Sequence, residues 1–108
     1  MRIAILSLSL IIFYSQAIAQ DNRTIRITVL NEQHTVLPGS TVYLLGADSV
    51  AIRSAATNAF AVYEYTGIKA GKYLVKASQA GYNNGYSSLI DLEKNASFST
   101  TITLKVKS

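Results

Sequence analysis

The side chains that could carry out metal chemistry are few in this 108-residue chain. It contains no cysteine and a single histidine, His34, which lies in a polar segment. A zinc site usually takes three or four imidazole, thiolate or carboxylate ligands, and one isolated imidazole does not supply them. The sequence also has no acid-rich loop of the kind that binds calcium. We therefore predict no metal site and no cofactor.

Asp91 and Glu93 are the only pair of carboxylates whose spacing suggests catalysis. Residues two apart on a strand are separated by roughly 7 Å, which is compatible with the acid pair of a glycosidase. The two acids flank Leu92 and are followed by Lys94, a pattern typical of a solvated strand end. Because no nucleophile motif surrounds any serine or threonine either, we predict no catalytic residues and a non-enzymatic protein.

Three tyrosines are the remaining candidates for ligand binding, at positions Tyr43, Tyr82 and Tyr86. Tyr43 alternates with the apolar Val42 and Leu44, and the other two flank the turn-forming segment 83–85. Exposed tyrosines could stack on a sugar or contact a peptide. The alternative is that each ring packs on the edge of the fold with only its hydroxyl in water. The sequence leaves both interpretations open.

The formal net charge of +4 does not indicate a nucleic-acid-binding protein. A phosphate-binding surface needs clustered basic residues or a known motif. Here the basic residues are spread singly along the chain, at Arg23, Arg26, Arg53, Lys69, Lys72 and Lys76. We therefore expect no nucleic-acid partner.

Residues 1–19 have the pattern of a signal peptide. Arg2 is followed by an uncharged run, Ile3 to Tyr14, and then by the small residues Ala17 and Ala19 before Gln20. This run of 12 residues is shorter than the roughly 20 that a membrane-spanning helix needs. We predict cleavage before Gln20, export of residues 20–108 as one domain, and no transmembrane segment after cleavage.

The remainder of the chain alternates apolar and polar residues in short runs separated by turn residues, a pattern that predicts strands. The segment 51–61 contains five alanines and could be a helix, but the alternation of Val50 and Ile52 favours a strand followed by a turn. We therefore predict an all-β fold, a seven-stranded antiparallel β-sandwich of the immunoglobulin-like or prealbumin-like Greek-key type. The seven predicted strands are 25–29, 41–45, 50–56, 62–65, 73–77, 86–92 and 98–106.

Four segments in a fixed order carry a resemblance to a known family. They are Pro-Gly-Ser-Thr-Val-Tyr-Leu-Leu at 38–45, Thr-Asn-Ala-Phe-Ala-Val-Tyr-Glu-Tyr at 57–65, Ala-Gly-Lys-Tyr-Leu-Val at 70–75, and Ala-Gly-Tyr at 80–82. Over residues 24–106 this set resembles carboxypeptidase regulatory-like domains. The chain departs from the family pattern at Asn58, Ala61 and Ala70, where Asp, Gly and Pro are usual. Asn58 can still form an Asx turn, whereas Ala61 is poorly suited to a positive φ.

The resemblance implies a transthyretin-like sandwich, a class grouped with carbohydrate-binding-like folds. It also implies a domain like the one at the N-terminus of TonB-dependent outer-membrane receptors, on the periplasmic side. On this basis we expect an accessory or interaction module in the periplasm or at the outer membrane, with an envelope protein as its partner. The chain would be either a stand-alone domain or the remnant of a longer receptor. A small carbohydrate-binding module that uses exposed tyrosines is the alternative.

Overall fold

The computed structural model describes residues 22–108, which form two β-sheets packed face to face and no helix. The predicted all-β sandwich is therefore confirmed. The predicted signal peptide, residues 1–19, lies outside the described residues and stays a prediction. In chain order the strands are β1 (Arg23–Asn31), β2 (Thr41–Gly46), β3 (Ala51–Ala56), β4 (Val62–Ile68), β5 (Lys72–Ser78), β6 (Gly85–Tyr86), β7 (Ile90–Asp91) and β8 (Ser97–Leu104).

The first sheet has the strand order β4-β1-β8, and the second has the order β3-β2-β5-β6. β7 also pairs with β5, further along the same strand. One strand pair differs from the predicted antiparallel arrangement, because β1 and β8 are parallel from Thr24↔Ser97 to Asn31↔Leu104. The chain crosses from the second sheet to the first after β7, and the amide of Thr24 bonds to the carbonyl of Ala96 at 3.1 Å. β8 therefore starts at the same end of the sheet as β1.

The run predicted as one strand over 86–92 is divided into β6 and β7. Between them, the Val75 amide donates to the Ser87 hydroxyl at 2.9 Å instead of to a carbonyl. The Ser87 amide still donates to the Val75 carbonyl at 2.8 Å. The Ser87 hydroxyl thus takes the place of a backbone carbonyl in one hydrogen bond of the strand pair. The pairing shifts by one residue between β6 and β7.

The core consists of the apolar residues that alternate along the strands, because successive side chains on a strand point to opposite faces. Ile25, Ile27 and Val29 of β1 are all fully buried. The other strands contribute alternating residues to the same cluster, among them Val42, Leu44, Val75, Ala77, Ile90, Ile102 and Leu104.

The alanine-rich segment forms a strand and a turn, as predicted, and not a helix. Ala51–Ala56 is β3, and the following turn is held by the Asn58 carboxamide oxygen, which accepts from the amides of Phe60 at 2.8 Å and Val62 at 3.1 Å. Ala61 takes a φ of 62° and is fully buried. The turn therefore places an alanine in the left-handed conformation that favours glycine.

Candidate functional site

Two of the three predicted tyrosines lie on the outer face of the second sheet. Tyr43 of β2 is directly opposite Lys76 of β5, and Lys76 is directly opposite Tyr86 of β6. Residues paired in this way point to the same face. The Lys76 ammonium lies 4.6 Å from the centroid of the Tyr43 ring, within the range of a cation–π contact. We call Tyr43, Lys76 and Tyr86 the tyrosine row.

The tyrosine row is unevenly exposed. Tyr43 is half-buried, whereas Tyr86 has 60% of its surface exposed. The third candidate, Tyr82, is not part of the row. It forms an isolated bridge with Val106, and its side chain packs against the core. The structure therefore brings two of the predicted site residues together and places the third in a packing role.

The strand β3 is an edge strand with unusually exposed apolar residues. Among the described strands it pairs only with β2. Five of its six residues are exposed, including Ile52 at 54%, and the preceding Val50 is 60% exposed. Arg53 is its only charged residue. Edge strands usually carry charges, prolines or irregularities that prevent pairing with another chain. β3 has only one charge and one bulge near its start, where its register against Leu44 and Leu45 of β2 shifts.

A cleft of about 370 Å³ opens beside β3, between that strand and residues 67–69 at the end of β4. Ligand pockets commonly have volumes of about 300–1,000 Å³. Two of the lining residues are cations, Arg53 and Lys69, and none of the lining residues is acidic. The cleft is lined by Leu44, Ile52, Arg53, residues 67–69 and Tyr73.

The guanidinium of Arg53 is held in place by two contacts with β4. Its Nη1 donates to the Thr66 carbonyl at 2.8 Å, and its Cζ lies 5.2 Å from the centroid of the Tyr65 ring. A guanidinium has five N–H donors, and within residues 22–108 one of them is used, so four remain for other partners. Sequence reasoning treated Arg53 and Lys69 as scattered charges, because nothing in their spacing shows that β3 and the end of β4 face each other.

The Arg53 guanidinium packs over the ring of Tyr65, which is buried. The Tyr65 hydroxyl donates to the Val42 carbonyl at 2.6 Å, and its ring meets that of Tyr63 edge-on, with 4.8 Å between centroids. Burial raises the pKa of Tyr65 to about 12, the nearby Tyr63 adds to this rise, and Arg53 opposes it. Tyr65 is therefore neutral in the pH range of most environments.

The two acids with catalytic spacing are engaged in local contacts. The Asp91 carboxylate accepts from the Glu93 amide at 2.8 Å, and the Glu93 carboxylate lies 3.3 Å from the Lys72 ammonium. His34 is exposed in a turn, and its amide donates to the Asn31 carbonyl at 3.0 Å. Within residues 22–108, no three histidine or acidic side chains come together as metal ligands would. The same residues contain no apolar helix of membrane-spanning length.

Comparisons with solved structures show the fold. The group B streptococcus pilus 2b backbone protein matches 81% of this chain with 42% of its own, at a TM-score of 0.65 and 17% identity. The Bacillus anthracis TIE protein matches 97% of this chain with 20% of its own, at a TM-score of 0.69 and 16% identity. A catechol 1,2-dioxygenase from Acinetobacter radioresistens matches 81% of this chain with 53% of its own, at a TM-score of 0.56 and 8% identity. The chain thus spans about half or less of each protein.

The comparison with protein families identifies the domain. No curated protein matches the chain significantly. The family model of the carboxypeptidase regulatory-like domain matches residues 24–105, which includes every strand from β2 to β8 and nearly all of β1. The four ordered segments at 38–45, 57–65, 70–75 and 80–82 all fall within this match. The chain therefore belongs to the carboxypeptidase regulatory-like domain family.

Proposed function

We propose that this domain is a non-enzymatic interaction module that binds an extended segment of a partner protein along β3. The exposure of apolar residues on this edge strand carries the proposal. A strand added to a sheet edge gains affinity from main-chain hydrogen bonds and specificity from alternate side chains.

The register of the second sheet shows which backbone groups of β3 are available. The Thr57 amide donates to the Ser40 carbonyl at 2.8 Å, and hydrogen-bonded and non-bonded pairs alternate along an antiparallel ladder. Counting from the bonded pair Ser40–Thr57, the pairs Thr41–Ala56 and Tyr43–Ser54 are non-bonded. The amides and carbonyls of Ser54 and Ala56 therefore point away from β2. These groups would bond to an added strand.

The place of action that we propose is the periplasm or the outer membrane, and the partner is an envelope protein. Export rests on the signal-peptide pattern of residues 1–19. The resemblance to the N-terminal domains of TonB-dependent receptors supports the same location. The absence of a catalytic role is supported by Asp91 and Glu93, whose carboxylates serve a turn and an ion pair.

Photo-crosslinking in cells tests this function. A photoreactive amino acid at Ile52 is expected to capture a discrete envelope protein, because this exposed residue lies on β3. Ser54→Pro is expected to abolish the adduct, since proline lacks the N–H that would bond to the added strand. Ser54→Ala keeps that N–H and is the matched control. An adduct that survives Ser54→Pro, in a variant whose thermal unfolding is unchanged, would contradict strand addition.

Carbohydrate binding is the second candidate function, and the tyrosine row favours it. Tyr86 is well exposed, and Lys76 next to it adds hydrogen-bond donors to an aromatic surface. If the row binds sugars, Tyr86→Ala should abolish retardation of the protein in affinity electrophoresis with glycans. Leu89→Ala, at an exposed position outside the row, should leave the retardation unchanged. Absence of retardation for the unsubstituted protein across a glycan array would reject this candidate.

A further inference from the structure

The cleft beside β3 indicates which kind of side chain a segment bound along this strand should carry. Arg53 belongs both to the edge strand and to the lining of the cleft. It is paired with Leu44, which is buried in the core, so its side chain leaves β3 on the face that looks toward the first sheet. Its bond to the Thr66 carbonyl of β4 shows the same direction.

We propose that the added strand carries an acidic side chain opposite Arg53 and that the cleft binds this carboxylate. The inference rests on the proposed function and names the kind of segment that β3 receives. The segment is extended, has apolar residues at the positions that contact Ile52, and has one Asp or Glu that faces the cleft.

The geometry of strand pairing supports this assignment. The backbone groups of Arg53 point toward β2, because Arg53 and Leu44 continue the alternation described above. In an antiparallel added strand, the residue opposite Arg53 would therefore occupy a non-hydrogen-bonded position, where facing side chains approach most closely. Opposite charges at such positions stabilise a strand pair.

The charges around the cleft also favour an anionic group. Four N–H donors of Arg53 have no partner within the described part of the chain, and an arginine fork matches the two oxygens of a carboxylate. Lys69 supplies a second cation. No acidic residue lines the cleft, and Glu64 on β4 lies 3.6 Å from Arg26 in an ion pair.

Synthetic peptides test the proposal without knowledge of the natural partner. The probe is a seven-residue peptide of valine and threonine with a central glutamate, acetylated and amidated at its ends and fluorescently labelled. Its affinity for the protein is measured by fluorescence anisotropy and compared with peptides that have glutamine or lysine at the centre. The glutamate peptide is expected to bind about tenfold tighter than the glutamine peptide, which corresponds to one charge-assisted hydrogen bond.

Variants of the protein assign the preference to the cleft. Arg53→Gln is expected to bring the affinities of the glutamate and glutamine peptides to the same value, and Arg53→Lys to retain part of the difference. Lys69→Gln changes an exposed residue, keeps the protein folded, and should reduce the difference by a smaller factor. Equal affinities of the two peptides for the unsubstituted protein would overturn the proposal, as would a preference that neither Arg53→Gln nor Lys69→Gln alters.

Two further experiments distinguish a failure of this proposal from a failure of the proposed strand addition. Ser54→Pro should weaken all three peptides, because it removes a main-chain donor from β3; if it does not, the proposed strand addition itself fails. A glutamine-centred peptide with a free C-terminal carboxylate should bind no better than its amidated form. If it equals the glutamate peptide, the cleft takes a chain end, and the assignment to a side chain opposite Arg53 is wrong.

Discussion

At the scale of single residues, Tyr65 connects the two sheets through one hydroxyl group. Its ring belongs to β4 in the first sheet, and its hydroxyl bonds at 2.6 Å to Val42 of β2 in the second. A buried phenol that loses its proton would leave a charge in the core, which is why burial raises its pKa to about 12. The group therefore links the stability of the fold to alkaline pH.

The stability of the protein should fall between about pH 10 and pH 12 because of Tyr65. The unfolded state has the ordinary tyrosine pKa of 10.0, whereas the folded state has a pKa of about 12. Below pH 10 both states are protonated and the contribution is complete; above pH 10 only the unfolded state releases its proton. The free energy of unfolding should lose about 2–3 kcal/mol over this window.

Urea titrations at several pH values measure this loss, with Tyr65→Phe as the control. The phenylalanine variant should be about 1 kcal/mol less stable at pH 7, because it lacks the bond to Val42. It should also lose less stability between pH 10 and pH 12 than the unsubstituted protein. Identical alkaline slopes for the two proteins would show that Tyr65 is not the group responsible.

Single residues also show which side-chain orientations can be predicted from the sequence. Tyr43 alternates with Val42 and Leu44 along β2, and the structure places it on the outer face, opposite to these two buried residues. Tyr82 lies in a turn, where alternation gives no direction, and its bridge with Val106 depends on a distant part of the chain. The sequence could therefore name it as a candidate but not place it.

At the scale of elements, the hairpin of β2 and β3 is closed by a buried polar contact. The Ser40 amide donates to the Thr57 hydroxyl at 2.9 Å, and the Ser40 hydroxyl donates to the Leu37 carbonyl at 2.7 Å. Both side chains are buried. A buried donor without a partner costs more than its bond contributes, because it has also lost its water.

Thr57→Val should destabilise the protein by about 1–3 kcal/mol, since it keeps the shape of the side chain and leaves the Ser40 amide without an acceptor. Thr57→Ser retains the hydroxyl and should recover most of this loss. Thr101→Val, at an exposed position on β8, should change the stability by less than about 0.5 kcal/mol. Chemical denaturation of the three variants checks the order, and a Thr57→Val variant as stable as Thr101→Val would contradict it.

Long strands could be predicted from the sequence, whereas the division of the segment 86–92 into β6 and β7 could not. The alternation of Ile25, Ile27 and Val29 extends over most of β1 and predicts a half-buried strand directly. The segment 86–92 also contains apolar residues, but its break depends on the Ser87 hydroxyl reaching the Val75 amide. Such a contact depends on the neighbouring strand and leaves no periodic trace in the sequence.

At the scale of the whole molecule, the two sheets approach each other closely at Gly85. A Cβ atom at this position would lie 2.7 Å from Leu104 Cδ2 and 2.8 Å from Ile102 Cγ2. β6 lies at the edge of the second sheet, and β8 lies at the edge of the first. The missing side chain of Gly85 therefore allows this side of the sandwich to close.

Gly85→Ala should destabilise the protein by about 1–3 kcal/mol, because the added methyl group must displace well-packed core residues. Gly46→Ala is the matched control. Its Cβ would lie 2.9 Å from the Asp48 carboxylate, which is the end of an exposed side chain and can move at the cost of its hydrogen bond to the Val50 amide. Thermal unfolding should show a clearly larger decrease in Tm for Gly85→Ala than for Gly46→Ala, and equal decreases would argue against the close approach.

The opposite side of the sandwich has the cleft, and its residues come from distant positions in the chain. Arg53 is in β3 of the second sheet, Lys69 directly follows β4 of the first, and neither stands out in its own segment. Their proximity follows from the strand order, with β3 at the edge of one sheet and β4 at the edge of the other. Strand order depends on the packing of the complete fold, and this is why the fold class could be predicted and the cleft could not.

The parallel pairing of β1 with β8 has a consequence for how the protein folds. The first strand of the described chain contacts the last over eight register positions, so half of the ladder of β1 can form only after the whole domain has been synthesised. Contacts between residues that are far apart in sequence slow folding, because a long loop must close before they form. The fold is therefore completed late. Until β8 pairs with β1, the central strand of the first sheet has no neighbouring strand on one side.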